Sequence, residues 1–136
     1  MSDWETLRQH VLQRLREWVN RLPPEERDMP FMVLDGQMLT PRDMLYHVEA
    51  GDRLGWKIVE MEARRIRQLS MMSMDEIREL IRQRYLRKRG VTYMTLAGLP
   101  PLTPQQIAEM IARGDPRAQT FVESELQWLK YLESLM

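Results

Sequence analysis

The sequence predicts a mainly α-helical protein with a minimal two-stranded β element, built as a tandem duplication of a helix–strand–helix–helix unit with pseudo-two-fold character. Three observations predict it. Leu39-Thr40-Pro41 recurs as Leu102-Thr103-Pro104, Gly51-Asp52 as Gly114-Asp115, and Val59-Glu60-x-Glu62 as Val122-Glu123-x-Glu125, all at an offset of 63 residues. Over residues 39–69 that offset gives nine identities in 31 ungapped positions, against about two expected from composition. Between these landmarks, apolar residues recur at three- and four-residue steps, the period of a helix with one buried face. The 136 residues are then read as a single domain, 1–136, with repeat one at 1–70 and repeat two at 71–136.

The entry helix of repeat one begins at Ser2-x-x-Glu5, a capping box, and carries Trp4, Leu7, Val11, Leu15, Trp18 and Leu22 on one stripe. Pro23-Pro24 ends it, because neither proline donates a backbone hydrogen bond. Repeat two opens with Ser73-x-x-Glu76 and the stripe Ile77, Ile81 and Tyr85. Aligned on their stripes at an offset of 70, the two entry helices share Arg8/Arg78, Gln13/Gln83 and Arg14/Arg84. Phe31-Met32-Val33-Leu34-Asp35-Gly36 and Tyr93-Met94-Thr95-Leu96-Ala97-Gly98 each read as a short strand closed by a turn. Lone short strands are unstable, so these two are expected to pair with each other across the pseudo-two-fold.

Thr40-Pro41 and Thr103-Pro104 start the middle helices: threonine caps, and proline at the first helical position loses no hydrogen bond. Gly51 and Gly114 close them in the left-handed conformation. Asp52 and Asp115 cap the exit helices, 53–69 and 116–135, which accounts for both aspartates without catalysis.

The exit helices carry one anomaly. Glu62 and Glu125 fall within the apolar stripes marked by Ile58, Val59, Ile66 and Leu69 and by Phe121, Val122, Leu129 and Leu132. A carboxylate on a buried face costs several kcal/mol unless it is paired or protonated. The favoured expectation is a structural ion pair to a repeated arginine, Arg8 for Glu62 and Arg78 for Glu125. Glu62→Ala should then destabilise the fold. The competing expectation is a symmetric carboxylate pair that shares a proton or holds a divalent ion.

Composition narrows the function. Twenty basic and twenty acidic residues cancel, so no global field draws the chain to nucleic acid or to a membrane. No run of 18 apolar residues and no charged-then-apolar leader is visible, and zero cysteines exclude disulfides and thiolate chemistry. A cytoplasmic location is expected. His10 and His47 are isolated, and nucleophile elbows, phosphate-cradling glycine loops and zinc-helix motifs are absent. No enzymatic activity, cofactor or metal is expected.

What remains points to a partner. Twelve methionines supply pliable contacts, concentrated at Met71, Met72 and Met74 between the repeats. Trp56 lies off the exit-helix stripe and has Gln119 as its counterpart, as an interface anchor would. The sequence therefore reads as a non-catalytic intracellular protein–protein interaction module, an adaptor, inhibitor or assembly component, which could also self-associate. The alternative is a nucleic-acid-binding regulator using the helix 78–89, where Arg82, Arg84, Arg87, Lys88 and Arg89 cluster. A carboxylate-dependent site at Glu62 and Glu125 stands third.

Overall fold

A computed structural model describes residues 3–90, 93 and 100–136. Among these the chain is mainly helical, with one small antiparallel sheet. It divides into two compact units, Met1–Met72 with Lys130–Met136, and Ser73–Leu129.

In the first unit, helix α1 (Asp3–Arg21) buries Val11, Leu15 and Trp18 of the expected stripe together with Leu12 and Val19 beside it, while Trp4 and Leu7 are half-buried. Trp18 is fully buried; its Nε1 donates to the Leu132 carbonyl at 2.9 Å, and its ring meets Phe31 edge-on. Strands β1 (Met32–Leu34) and β2 (Gln37–Leu39) follow, then α2 (Pro41–Ala50) and α3 (Arg53–Ala63).

β1 pairs with β2 in a local hairpin, Met32 opposite Leu39 and Leu34 opposite Gln37, a pairing the sequence reading does not give. Asp35 and Gly36 form the turn with φ of 52° and 74°. An Asp-Gly pair accepts two left-handed residues at low cost, and closing a two-residue loop costs far less entropy than joining strands sixty residues apart. Residues 94–98 lie outside the described residues. Tyr93 and Leu102 exchange two backbone hydrogen bonds of 2.8 Å in the second unit, and in the first unit the Phe31 N–H donates to Leu39 at the same distance.

Local capping chemistry sets the helix ends. Thr40 and Thr103 each form a full capping box, with Asp43 and Gln106, ahead of α2 and of α5 (Pro104–Ala112). Ser73 does the same with Glu76 at the start of α4 (Met74–Arg87). Ser2 lies outside the described residues. Gly51 and Gly114 both take φ of 69°. Asp52 accepts from the Gly55 N–H, and its other oxygen lies 2.6 Å from His47 Nδ1, so the imidazole is part of the α2–α3 corner. That corner is tight. A Cβ at Gly55 would sit 2.1 Å from the His47 carbonyl oxygen, so only glycine fits. At the offset of 63 the residue is Ala118, and there Asp115 caps a short 3-10 turn, Pro116–Ala118, before helix α6 (Gln119–Ser134) begins.

The first exit helix is shorter than its apolar pattern predicts. α3 ends at Ala63 in a Schellman turn: the Arg65 N–H donates to Glu62 and the Ile66 N–H to Met61, at 3.1 and 2.9 Å. Arg65 takes the left-handed position, φ 54°, that glycine usually fills. Neither glycine nor proline marks this stop. Ile66 and Leu69 therefore lie beyond the helix, Leu69 buried in a 3-10 turn at Gln68–Met71.

In the second unit α4 packs against α5, burying Ile77, Leu80, Ile81 and Tyr85 with Ile107, Ala108 and Ile111. Val122 and Leu129 of α6 are buried as well. No helix among the described residues is long and apolar enough to cross a membrane.

Candidate functional site

The two stripe carboxylates meet different environments. Glu125 is buried in the second unit. Its Oε1 accepts from Arg84 Nε at 2.8 Å and its Oε2 from Lys88 Nζ at 2.9 Å. Arg84 is 0% exposed, and a carboxylate and guanidinium enclosed together satisfy each other where water cannot reach. The Lys88 ammonium also lies 5.1 Å from the Tyr85 ring centroid. Burial, and then the charge of Glu125, pushes the Tyr85 phenol well above its ordinary range, and its hydroxyl donates to the Phe121 carbonyl at 3.2 Å.

Glu62 is mostly buried in the first unit, but its contacts are long. Arg14 Nη2 lies 3.6 Å away and Gln68 Nε2 3.4 Å away. Glu62 occupies the last turn of α3, where the helix dipole is negative and which itself contains no basic residue. Burial raises its carboxyl above the usual range. The charge of Glu133 adds to this, while Arg14 and Arg67 oppose it.

The partners differ from those expected. Arg14 and Arg84 take the places assigned to Arg8 and Arg78. These two also stand at the offset of 70, about one and two-thirds turns further along each helix than the residues expected. Arg8 instead donates to the Val48 and Glu49 carbonyls at the end of α2, completing carbonyls the helix leaves open, and it also pairs with Glu5. Arg78 is half-buried on α4 and does not join Glu125.

Glu62 opens onto a cleft of about 240 Å³ in the first unit. Its lining has the buried Glu133 and Gln68 and the half-buried Glu62, with Ile66 and Met136 as apolar walls and the exposed arginines Arg14, Arg65 and Arg67 around them. Glu133, on the last turn of α6, accepts from the buried Leu69 N–H at 3.1 Å. Gln68 is 2% exposed, and its Oε1 is the one buried side-chain polar atom without a hydrogen-bond partner among the described residues. The second carboxylate of this cleft is thus Glu133, a residue the sequence pattern does not single out. Among the described residues no three His, Cys, Asp or Glu side chains gather as a metal-ligating group.

The remaining sequence candidates differ in exposure. Trp56 stacks on Trp4 of α1, their planes 4° apart, and is still 46% exposed. Met71 and Met74 are exposed, while Met72 is buried. The basic cluster is largely engaged. Arg82 makes a two-bond fork to Glu79, Arg84 and Lys88 hold Glu125, and Arg89 donates to the Leu86 and Lys88 carbonyls. Arg84 therefore has no surface to offer a phosphate, a correction to its place in that cluster. Arg87, also in the last turn of α4, is engaged within the chain as well.

No protein-family model, curated protein or solved structure matches the chain.

Proposed function

We propose that this chain is a non-catalytic intracellular protein–protein interaction module on a duplicated helical scaffold. The duplication is supported by local chemistry that recurs in both units. Each has a Thr-Pro capping box, a left-handed glycine followed by a capping aspartate, and an entry-helix arginine beside an exit-helix glutamate.

The observation that carries the interaction reading is the Trp4–Trp56 stack. Two indoles lie face to face at the surface with nearly half of Trp56 left to solvent. Stacking fixes both rings before any partner arrives, so little side-chain entropy remains to be lost on binding, and tryptophan is the residue most enriched at energetic centres of interfaces. The exposed thioethers of Met71 and Met74 add adaptable apolar surface.

The test compares affinity capture from the source cells by the wild type, Trp56→Ala and Met71→Ala/Met74→Ala. A stoichiometric protein lost with Trp56→Ala supports the reading. A partner profile unchanged in both variants overturns it. The nucleic-acid alternative is weakened by the engagement of Arg82, Arg84 and Lys88 with carboxylates, which cancels the field a phosphate backbone needs.

A further inference from the structure

The cleft beside Glu62 combines two features, acceptors with room for a further donor and a surplus of exposed cations. Its lining has Glu62, Glu133 and Gln68. Glu133 spends one oxygen on the Leu69 N–H, and Glu62 has only long contacts, to Arg14 at 3.6 Å and to Gln68 at 3.4 Å. The orientation of the Gln68 amide follows from charge. Its NH₂ faces the Glu62 carboxylate, because the reversed amide would set two acceptors against each other, and this leaves Oε1 as the orphan. Buried acceptors are nearly always satisfied in folded proteins, so an orphan in a cleft wall calls for a donor. The exposed lining is the opposite, with Arg14, Arg65 and Arg67.

We propose that this cleft binds a small zwitterion of single-amino-acid size, its ammonium or guanidinium end directed to Glu62, Glu133 and Gln68 and its carboxylate held by Arg65 and Arg67. A cation alone would meet three arginines, and an anion alone would meet two carboxylates; only a molecule carrying both charges at opposite ends satisfies both. The volume agrees: about 240 Å³ lies just below the range of about 300–1,000 Å³ typical of drug-sized ligands. Arg14, half-exposed and loosely paired, is placed to give up Glu62 to the incoming cation and turn toward the carboxylate. The inference is independent of the Trp56 surface.

The test is calorimetric titration of the full chain with L-arginine and L-lysine, beside agmatine, which keeps the guanidinium but lacks the carboxylate, and L-glutamate. One of the two basic amino acids is expected to bind at one site per chain. Agmatine should bind about tenfold more weakly, the loss of one charge-assisted contact. Arg67→Ala, an exposed change that leaves the packing intact, should narrow the preference over agmatine. Glu62→Gln should abolish binding while circular dichroism stays unchanged. Affinity should fall as pH drops toward the ordinary carboxylate range and Glu62, flanked by Glu133, Arg14, Arg65 and Arg67, takes up its proton. Absence of saturable binding at millimolar concentrations overturns the proposal. So does stabilisation by Mg²⁺ or Ca²⁺ in place of the amino acids, or equal binding of a blocked N-acetyl-arginine amide, which would assign the cleft to a partner's side chain.

Discussion

Arg84 and Glu125 form an enclosed ion pair, Nε to Oε1 at 2.8 Å, whereas in the first unit Arg14 and Glu62 stand 3.6 Å apart with the arginine half in solvent. The same two residue types thus do different work in the two units. In the second unit the glutamate is fully answered, by Arg84 and Lys88 together. In the first it is under-answered and borders a cleft.

Removing one partner from the enclosed pair leaves a buried charge. Arg84→Ala is expected to cost about 3–5 kcal/mol in urea unfolding, moderated by the Lys88 ammonium that stays on Glu125. The double change Arg84→Met/Glu125→Leu should recover most of that loss, because apolar groups of similar volume need no compensation. If the double variant is less stable than Arg84→Ala, the pair contributes by more than avoiding an unpaired charge.

Glu62 should show the reverse sign. Its carboxyl titrates above the ordinary 4.5 because it is buried, so the folded chain holds this proton more tightly than the unfolded chain. Stability from this group is therefore highest below pH 4.5 and is lost as pH rises through the raised folded value. Glu62→Gln removes the penalty. At pH 7 without ligand the variant is expected to equal or exceed the wild type in stability, with its advantage vanishing as pH falls toward 4.5. Parallel unfolding curves at several pH values check this.

How far the sequence speaks depends on the range of the interaction. Caps were legible because Thr40-Pro41, Thr103-Pro104 and the Gly-Asp corners act within four residues. The hairpin is legible too, in Asp35-Gly36, whose two left-handed residues close β1 on its neighbour in sequence. The burial of Arg84 was available as well, since it lies among Ile77, Leu80, Ile81 and Tyr85 on the inward face of α4, and a stripe argument would have chosen it over Arg78. The end of α3 was not legible, because Arg65 enters the left-handed region without glycine or proline. Nor was the meeting of Gln68 with Glu133, which only the tertiary fold of the first unit brings about.

The α2–α3 corner makes a prediction in which two effects compete. Alanine in place of Gly55, a helix residue, gains up to about 1 kcal/mol of helix propensity. Its Cβ, however, would lie 2.1 Å from the His47 carbonyl oxygen and 3.0 Å from the Val48 Cα, both backbone atoms that move only with the helix. Overpacking of this kind costs about 1–3 kcal/mol and often more against backbone. Steric cost should win, so Gly55→Ala is expected to lower the melting temperature. An increase would show that α2 and α3 can separate at no cost.

Arg65 sets stability against binding at a single residue. A residue with a Cβ held at φ 54° is disfavoured by about 1–2 kcal/mol relative to right-handed backbone, a cost glycine does not share. Part of the gain from glycine is offset by its larger entropy in the unfolded chain. Arg65→Gly is therefore expected to stabilise the protein by about 0.5–1 kcal/mol, with the Schellman hydrogen bonds of Arg65 and Ile66 retained. The guanidinium, exposed beside the cleft, takes no part in the folded core, so nothing in packing offsets the strain. A left-handed arginine kept where glycine is more stable is the pattern expected when a side chain serves binding instead of folding. The decisive measurement reads both quantities on one variant. Arg65→Gly should unfold at higher denaturant and bind the basic amino acid more weakly. If it gains stability with affinity unchanged, Arg65 is no part of the site and the carboxylate rests on Arg14 and Arg67 alone.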